Sequence, residues 1–397
     1  MERKETWTKF RHKVITALIK PFFYPYVKLK YHIHIEKFAQ QGNRPYLIVM
    51  NHQTAYDQFF VAMTFRGPVY YVASEDIFSM GWVSKLIRWL VAPIPIRKQT
   101  TDLQAVKNCI RVAREGGTIC LAPEGNRTYH GKNVYMKPGI ASLAKKLGLP
   151  LAFLRIEGGY GIQPRWSDVI RKGSMRCYVS RVVEPEELKA LTNQELMALI
   201  AQELNVDEAK VTGTYVHQKN AEFLERVIYT CPRCGLAPWD SQGALIRCTK
   251  CGLTVRHKPT KELEALEGDF PHRFVADWYA AQNNYVNQLD LPSLTEQPLF
   301  TDTAAISRVH LYSHKELLEE TARVCLYGDR ITVNDRVFPF RDCSAVTVLG
   351  KNKLNIYFGS EIFQLKGDKR FNALKYVNFY HRYQNITGGQ HEQFLGL

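Results

Sequence analysis

No apolar run in this chain approaches the ~20 residues that a helix needs to cross a bilayer. The N-terminus lacks an uninterrupted hydrophobic stretch followed by a small-residue cleavage site, which reads against a secretory leader. No Gly-x-Ser-x-Gly occurs, so nothing points to a serine nucleophile on a strand–helix elbow. There is no internal repeat and no long low-complexity tract. Acidic residues are the scarcer sign: 38 Asp and Glu face 53 Lys and Arg, for a net charge of +15. Paired cysteine is scarce too. Nine cysteines occur, but Cys109, Cys120, Cys177, Cys325 and Cys343 stand singly among apolar neighbours. That pattern fits a reducing interior rather than a disulfide framework.

What is present bounds the answer further. At 397 residues and 45% hydrophobic content the chain is long enough for two or three domains with ordinary cores. The positive charge is uneven: residues 1–230 hold 33 Lys/Arg against 20 Asp/Glu, and residues 231–397 hold 20 against 18. The first part therefore faces something anionic, such as lipid headgroups, a phosphorylated substrate or nucleic acid. Residues 1–30 carry eight Lys/Arg against two Glu, interleaved with Trp7, Phe10, Val14, Ile15, Leu18 and Ile19 at helical spacing. An aromatic cluster, Pro21–Tyr26, follows. Basic residues beside aromatics on an amphipathic stretch predict a helix lying in a membrane interface. The expected location is the cytoplasmic face of a membrane, peripheral or monotopic, with no spanning helix.

Apolar, β-rich runs at Tyr46–Met50, Val69–Ala73, Thr118–Ala122 and Leu151–Ile156 alternate with helical patterns at Gln58–Phe65, Met80–Leu90, Leu103–Arg114 and Ile140–Lys146. Such alternation predicts an α/β fold, a mixed, largely parallel sheet flanked by helices. An acidic-capped helical stretch over Glu186–Glu203 closes this part. Ligands of such sheets sit beyond the carboxyl ends of the strands.

Asn51-His52-Gln53-Thr54-Ala55-Tyr56-Asp57 leaves the first of these strands. In a regular helix, residues five apart point about 140° away from each other. His52 and Asp57 meet only if the chain turns between them, as a strand-to-helix loop allows. An imidazole oriented by a carboxylate is a good general base near neutral pH. Pro123-Glu124-Gly125-Asn126-Arg127-Thr128 leaves another strand. Gly125 permits a tight turn, and Arg127 presents a planar fork suited to phosphate. Pro93-Ile94-Pro95-Ile96-Arg97-Lys98 offers a second arginine, Arg97, after a proline-stiffened segment.

In this order, with Gly148-Leu149-Pro150-Leu151 behind them, these blocks resemble the four motifs of the glycerolipid acyltransferases, specifically the 1-acylglycerol-3-phosphate acyltransferase family, over about residues 35–185. One departure is visible: Asn126 and Thr128 stand where the family's third block, Glu-Gly-Thr-Arg-Ser, has Thr and Ser. The resemblance implies that His52 takes the proton of an acceptor hydroxyl, Asp57 orients it, and Arg97 and Arg127 hold the acceptor's phosphate. Glu124 and Gly125 then shape the substrate-binding loop. The implied reaction moves a fatty acyl group from acyl-CoA or acyl-carrier protein to a lysophospholipid, most simply 1-acylglycerol-3-phosphate giving phosphatidic acid. Glycerol-3-phosphate or a lyso-aminolipid are alternative acceptors.

Cys231-x-x-Cys234 and Cys248-x-x-Cys251 predict a four-thiolate zinc ribbon. With every ligand position a cysteine, no position stays open for catalytic water, and the metal is expected to be structural. A non-catalytic module binding nucleic acid or protein is the contrasting reading. It is disfavoured because no interleaved aromatic platform accompanies the basic residues beyond Trp239. After Leu291, short strands at Arg330–Val333, Ala345–Leu349, Leu354–Phe358 and Glu361–Leu365, then a helix over Phe371–Tyr383, resemble a pleckstrin-homology or GRAM-type domain. The expected organisation is a basic interface segment (1–34), an acyltransferase domain (35–222), the ribbon (223–262), a connecting helix (263–300) and the small antiparallel β-domain (301–397).

Overall fold

The computed structural model describes residues 6–74, 77–78, 81–96, 102–136, 138–310 and 313–389. They form two compact units: residues up to 164 together with 172–213, and residues 165–171 together with those from 214 onward.

The first unit is built on seven strands: β1 (Ile33–Ile35), β2 (Leu47–Met50), β3 (Val69–Ser74), β4 (Ile94–Ile96), β5 (Thr118–Leu121), β6 (Leu151–Glu157) and β7 (Met175–Val183). They lie in the order β1-β7-β6-β2-β5-β3-β4. Every pairing is parallel except β6 with β7. The helices are α1 (Phe10–Tyr31), α2 (Asp57–Thr64), α3 (Trp82–Val91), α4 (Leu103–Arg114), α5 (Gly139–Leu147), α6 (Gly159–Ile162), α7 (Pro185–Ala190) and α8 (Asn193–Leu204).

β2 is the middle strand and all four of its residues are buried. A strand covered on both faces needs a continuous apolar run, which Leu47-Ile48-Val49-Met50 supplies. Leu47 and Val49 join Ile119, Leu151 and Phe153 in a core closed by Cys109 and Val112 of α4, Ile140, Ala141 and Ala144 of α5, and Leu196, Ile200 and Leu204 of α8. In register, Leu47 lies opposite both Ile119 and Leu151. The loops leaving β2 and β5 therefore start side by side, since neighbouring parallel strands carry their carboxyl ends to one edge.

One local expectation is corrected. The stretch over Glu186–Glu203 is two helices, because Thr192 caps α8: its hydroxyl accepts the Glu195 N–H (3.1 Å) and the Glu195 carboxylate accepts the Thr192 N–H (2.7 Å). That reciprocal box starts a new helix rather than continuing the old one. Helix α1 takes in the Pro21–Tyr26 cluster and runs through both Pro21 and Pro25. Each proline removes one ladder hydrogen bond, yet the helix is anchored on both sides of them. Phe23 stacks on Phe59 of α2 at 5.0 Å, and Tyr31 meets Phe60 edge-on at 5.6 Å.

The second unit begins with a short hairpin, β8 (Thr230–Cys231) and β9 (Gly235–Leu236). It continues as an antiparallel sheet of β10 (Trp239–Gln242), β11 (Leu245–Cys248), β12 (Thr254–His257) and β13 (Leu263–Ala265). After α9 (Val275–Gln288) come β14 (Phe300–Val309), β15 (Lys315–Leu326), β16 (Arg330–Val333), β17 (Arg336–Pro339), β18 (Cys343–Leu349), β19 (Lys353–Phe358) and β20 (Glu361–Gly367). These seven form one antiparallel sheet in the order β17-β16-β15-β14-β20-β19-β18, followed by α10 (Ala373–Thr387). No disulfide joins any of the nine cysteines.

Candidate active site

Two loops, 51–56 after β2 and 122–136 after β5, build the site. Asp57 is the first residue of α2, so the five residues before it are free to turn and bring the pair together. Asp57 Oδ2 lies 2.7 Å from His52 Nδ1. The same carboxylate accepts the backbone N–H of Gln53 (2.7 Å), the backbone N–H of Thr54 (2.9 and 3.0 Å) and the Thr54 hydroxyl (2.6 Å). A carboxylate offers only acceptors, so Nδ1 of His52 must donate to it, and Nε2 is left with its lone pair outward. Asp57 is fully buried while the His52 side chain is 26% exposed. The carboxylate is dry and the imidazole is reachable. The N-terminus of α2 adds partial positive charge behind the carboxylate.

Neighbouring side chains hold this loop in place. Asn51, buried at the end of β2, donates to the Ile156 carbonyl and accepts the Ile156 N–H, both at 2.8 Å. Gln53 accepts the Tyr160 N–H at 2.8 Å. Gly159 allows this close approach: a Cβ there would sit 2.7 Å from Gln53 Cβ.

The second loop is laced to the first through the backbone of His52. Glu124 Oε1 accepts the His52 N–H at 3.2 Å, and Thr128 N–H donates to the His52 carbonyl at 3.0 Å. Glu124 Oε2 accepts the Val134 N–H, also at 3.2 Å. Glu124 is buried, and burial pushes its carboxyl up to about 8 against two backbone donors that favour the charged form, with Asp57 nearby adding repulsion. Gly125 turns the loop with φ +66°, and its N–H reaches the Ala122 carbonyl at 3.0 Å. L-residues adopt that φ only at a cost. Arg127 is half-buried on the same loop. Burial pushes the Tyr31 phenol well up, and the charge of Arg127 acts against that rise. Burial, and then the charge of Lys132, hold the His130 imidazole down at about 3.

The expected site residues His52, Asp57, Glu124, Gly125 and Arg127 thus belong to two adjoining loops. Glu124 is turned to the protein's own backbone. Arg97 lies outside the described residues. Asn51, Gln53, Thr54 and Val134 were not singled out in the sequence. Asn51 carried a signal, a polar residue closing an otherwise apolar central strand.

In the second unit the Sγ atoms of Cys231, Cys234, Cys248 and Cys251 all lie within 4.8 Å of one another. Cys231 and Cys251 are 3.7 Å apart. Four thiolates about 2.3 Å from a tetrahedral zinc stand about 3.8 Å from each other, so the cluster has the size and donor set of a closed zinc site. Trp239 is buried, with its ring edge-on to Trp278 at 4.8 Å and its N–H on the Thr230 carbonyl at 3.2 Å.

Residues 30–157 match the family described as Acyltransferase. A chloroplastic 1-acyl-sn-glycerol-3-phosphate acyltransferase of Arabidopsis thaliana is 22% identical over 192 residues, covering 47% of this chain and 52% of that protein. A chloroplastic 1-acyl-sn-glycerol-3-phosphate acyltransferase of Brassica napus is 22% identical over 202 residues, covering 50% and 57%. The 1-acyl-sn-glycerol-3-phosphate acyltransferase of Bacillus subtilis is 21% identical over 137 residues, covering 34% and 65%. The chain spans between about half and two thirds of the length of these relatives. A solved structure, the 1-acyl-sn-glycerophosphate (LPA) acyltransferase from Thermotoga maritima, aligns at 21% identity with a TM-score of 0.41, covering 49% of this chain and 78% of that one.

Proposed function

We propose that this protein is an acyltransferase that moves a fatty acyl group from an acyl thioester to the hydroxyl of a lysophospholipid, with 1-acylglycerol-3-phosphate the foremost acceptor and phosphatidic acid the product. The observation that carries this reading is the 2.7 Å contact of His52 Nδ1 with the buried Asp57 carboxylate. It leaves a basic Nε2 on an accessible imidazole at the carboxyl edge of a parallel sheet. The matched family and the names of the relatives support the same chemistry.

In the proposed reaction Nε2 takes the acceptor's hydroxyl proton as the oxygen attacks the thioester carbonyl. The C–O ester bond forms, the C–S bond breaks, and the imidazolium returns its proton to the departing thiolate. Asp57 would orient the imidazole and stabilise its charged form. Arg127 and Arg97 would hold the acceptor's phosphate. Acyl-CoA or acyl-carrier protein is the proposed donor. Glu124 and Gly125 would shape the acceptor loop, Glu124 by tying 124–136 to the base.

A structural zinc ion on Cys231, Cys234, Cys248 and Cys251 would supply fold stability to the ribbon and no chemistry at the base. The 301–397 domain is proposed to be pleckstrin-homology- or GRAM-like. A nucleic-acid role finds no support in Trp239, whose ring is spent on the ribbon's core. The protein is proposed to work at the cytoplasmic face of an anionic membrane, peripheral or monotopic. No helix among the described residues is long and apolar enough to cross one.

An assay of acyl transfer over a panel of lyso-acceptors, with acyl-CoA and acyl-carrier protein compared, tests the reading. Turnover with 1-acylglycerol-3-phosphate above all other acceptors is the expected result. Preference for glycerol-3-phosphate or a lyso-aminolipid reassigns the acceptor, and no transfer to any acceptor overturns the proposal.

A further inference from the structure

Past α8 the chain stays on the candidate site. Residues 205–210 belong to no helix or strand, yet they are pinned along the loop 122–136. The Val206 N–H donates to Asn133 Oδ1 (3.3 Å), the Glu208 N–H donates to the Gly131 carbonyl (2.9 Å), and Asp207 lies 3.9 Å from Lys132 Nζ. Glu208 is only 1% exposed. Burying a carboxylate is costly unless donors meet it. Here Oε1 accepts the Gly158 N–H at 2.8 Å, in the turn between β6 and α6.

Gly131 is where the segments close on each other. Its φ is +90°, and a Cβ there would stand 3.0 Å from both Glu208 Cβ and Tyr160 Cδ1. Glycine meets both demands, the backbone angle and the lack of room. Buried Thr128 ties this point to His52. Its hydroxyl accepts the Gly131 N–H (3.0 Å) and donates to the Lys132 carbonyl (2.7 Å), while its N–H donates to the His52 carbonyl. Two residues past Gly158, the Tyr160 N–H donates to Gln53 Oε1, and the Gln53 N–H donates to Asp57. The hydrogen bonds thus run from the His52 carbonyl through Gly131 to Glu208. They return through Gly158 and Gln53 to the carboxylate that holds His52 Nδ1.

We infer that Glu208 is a positioning residue of this site. It fixes the loop that carries Arg127 against the loop that carries His52, and so sets the span between them that an acceptor must bridge. The inference rests on the acyltransferase reading for what that span serves; the grip itself does not. Glu208 acts through the backbones of Gly131 and Gly158. It lies beyond residues 30–157, the stretch that matches the family. A displacement of about 1 Å between groups that hold one substrate can cost about 10²-fold in rate.

The test compares the full chain with Glu208→Ala and Glu208→Gln, by steady-state acyl transfer to 1-acylglycerol-3-phosphate and by amide hydrogen exchange. Glu208→Ala should raise the acceptor KM about tenfold and leave the donor KM within about twofold. Glu208→Gln keeps an oxygen for the Gly158 N–H and should stay within about threefold of the parent. A merely structural role would reduce the amount of active enzyme and move neither KM. Gly131→Ala forces the same contact apart with Glu208 intact, and should repeat the acceptor-selective rise if Glu208→Ala does not fold. The grip is read without turnover: exchange across residues 128–134 should rise in Glu208→Ala or Gly131→Ala and not in Glu208→Gln. An unchanged acceptor KM in the folded alanine variants, unchanged exchange, or equal effects of Ala and Gln at 208 each overturn the proposal. A parent that transfers no acyl group counts instead against the acyltransferase reading, and the exchange result then decides the grip alone.

Discussion

The buried Glu124 carboxylate accepts the backbone N–H of His52, so the second sequence motif grips the first through main chain rather than reaching for a ligand. With its other oxygen on the Val134 N–H, this one side chain spans His52, its own turn and the segment ten residues downstream. A loop pinned at both ends in this way holds the imidazole without a contact to the ring itself.

Replacing Glu124 by Gln should change the pH dependence of stability. Burial lifts this carboxyl from 4.5 to about 8. The unfolded chain then ionises first as pH rises, so it holds fewer protons than the folded state and stability falls between about pH 4.5 and about pH 8. Below that window both states are protonated and the penalty vanishes. Glu124→Gln removes the titrating group, and thermal melts taken across the window should show a flatter slope, by an amount on the order of a few kcal/mol. An unchanged slope contradicts the assignment.

Asp57→Asn should lower kcat by ~10²–10⁴ with a small change in KM. The amide turns a donor toward groups that already donate: the Gln53 N–H, the Thr54 N–H and hydroxyl, and His52 Nδ1. A stability loss of roughly 1–3 kcal/mol should accompany it. Steady-state kinetics and a melt of the same preparation separate the two effects.

Much of this geometry was legible in the chain. The apolar run before His52 announced a central strand. The tight Glu-Gly turn after Thr118–Ala122 announced a second loop at the same edge. What stayed hidden was pairing at a distance. Nothing in β1, with three residues, or in β4, with a proline at its centre, marks a strand locally, because each is defined by its neighbour, β7 or β3. The turning of Glu124 toward backbone donors was equally invisible, since one donor belongs to another loop and the other lies ten residues downstream. Helix α1 was readable by its spacing but not through Pro21 and Pro25, where packing on α2 overrides local propensity.

Arg127→Ala should raise the acceptor KM by about tenfold or more and leave the donor KM nearly unchanged. A rise confined to the donor would remove Arg127 from phosphate binding. The same split applied to Arg97→Ala asks whether the second arginine shares the task.

Purified protein should contain close to one zinc per chain, as counted by elemental analysis. Chelation, or Cys248→Ser, should lower the melting temperature of the ribbon unit sharply, because binding of such an ion is coupled to folding. A metal-free chain that melts as the metal-bound one does would remove the zinc site. Equal zinc content in Cys248→Ser would do the same.

The base itself is the centre of the account. Transfer of an acyl group from its coenzyme A thioester to 1-acylglycerol-3-phosphate, measured for the parent and for His52→Ala at matched folding, tests it most directly. The account predicts a fall in kcat of at least about 10³ with the melting temperature retained. Turnover in His52→Ala within about tenfold of the parent would contradict it.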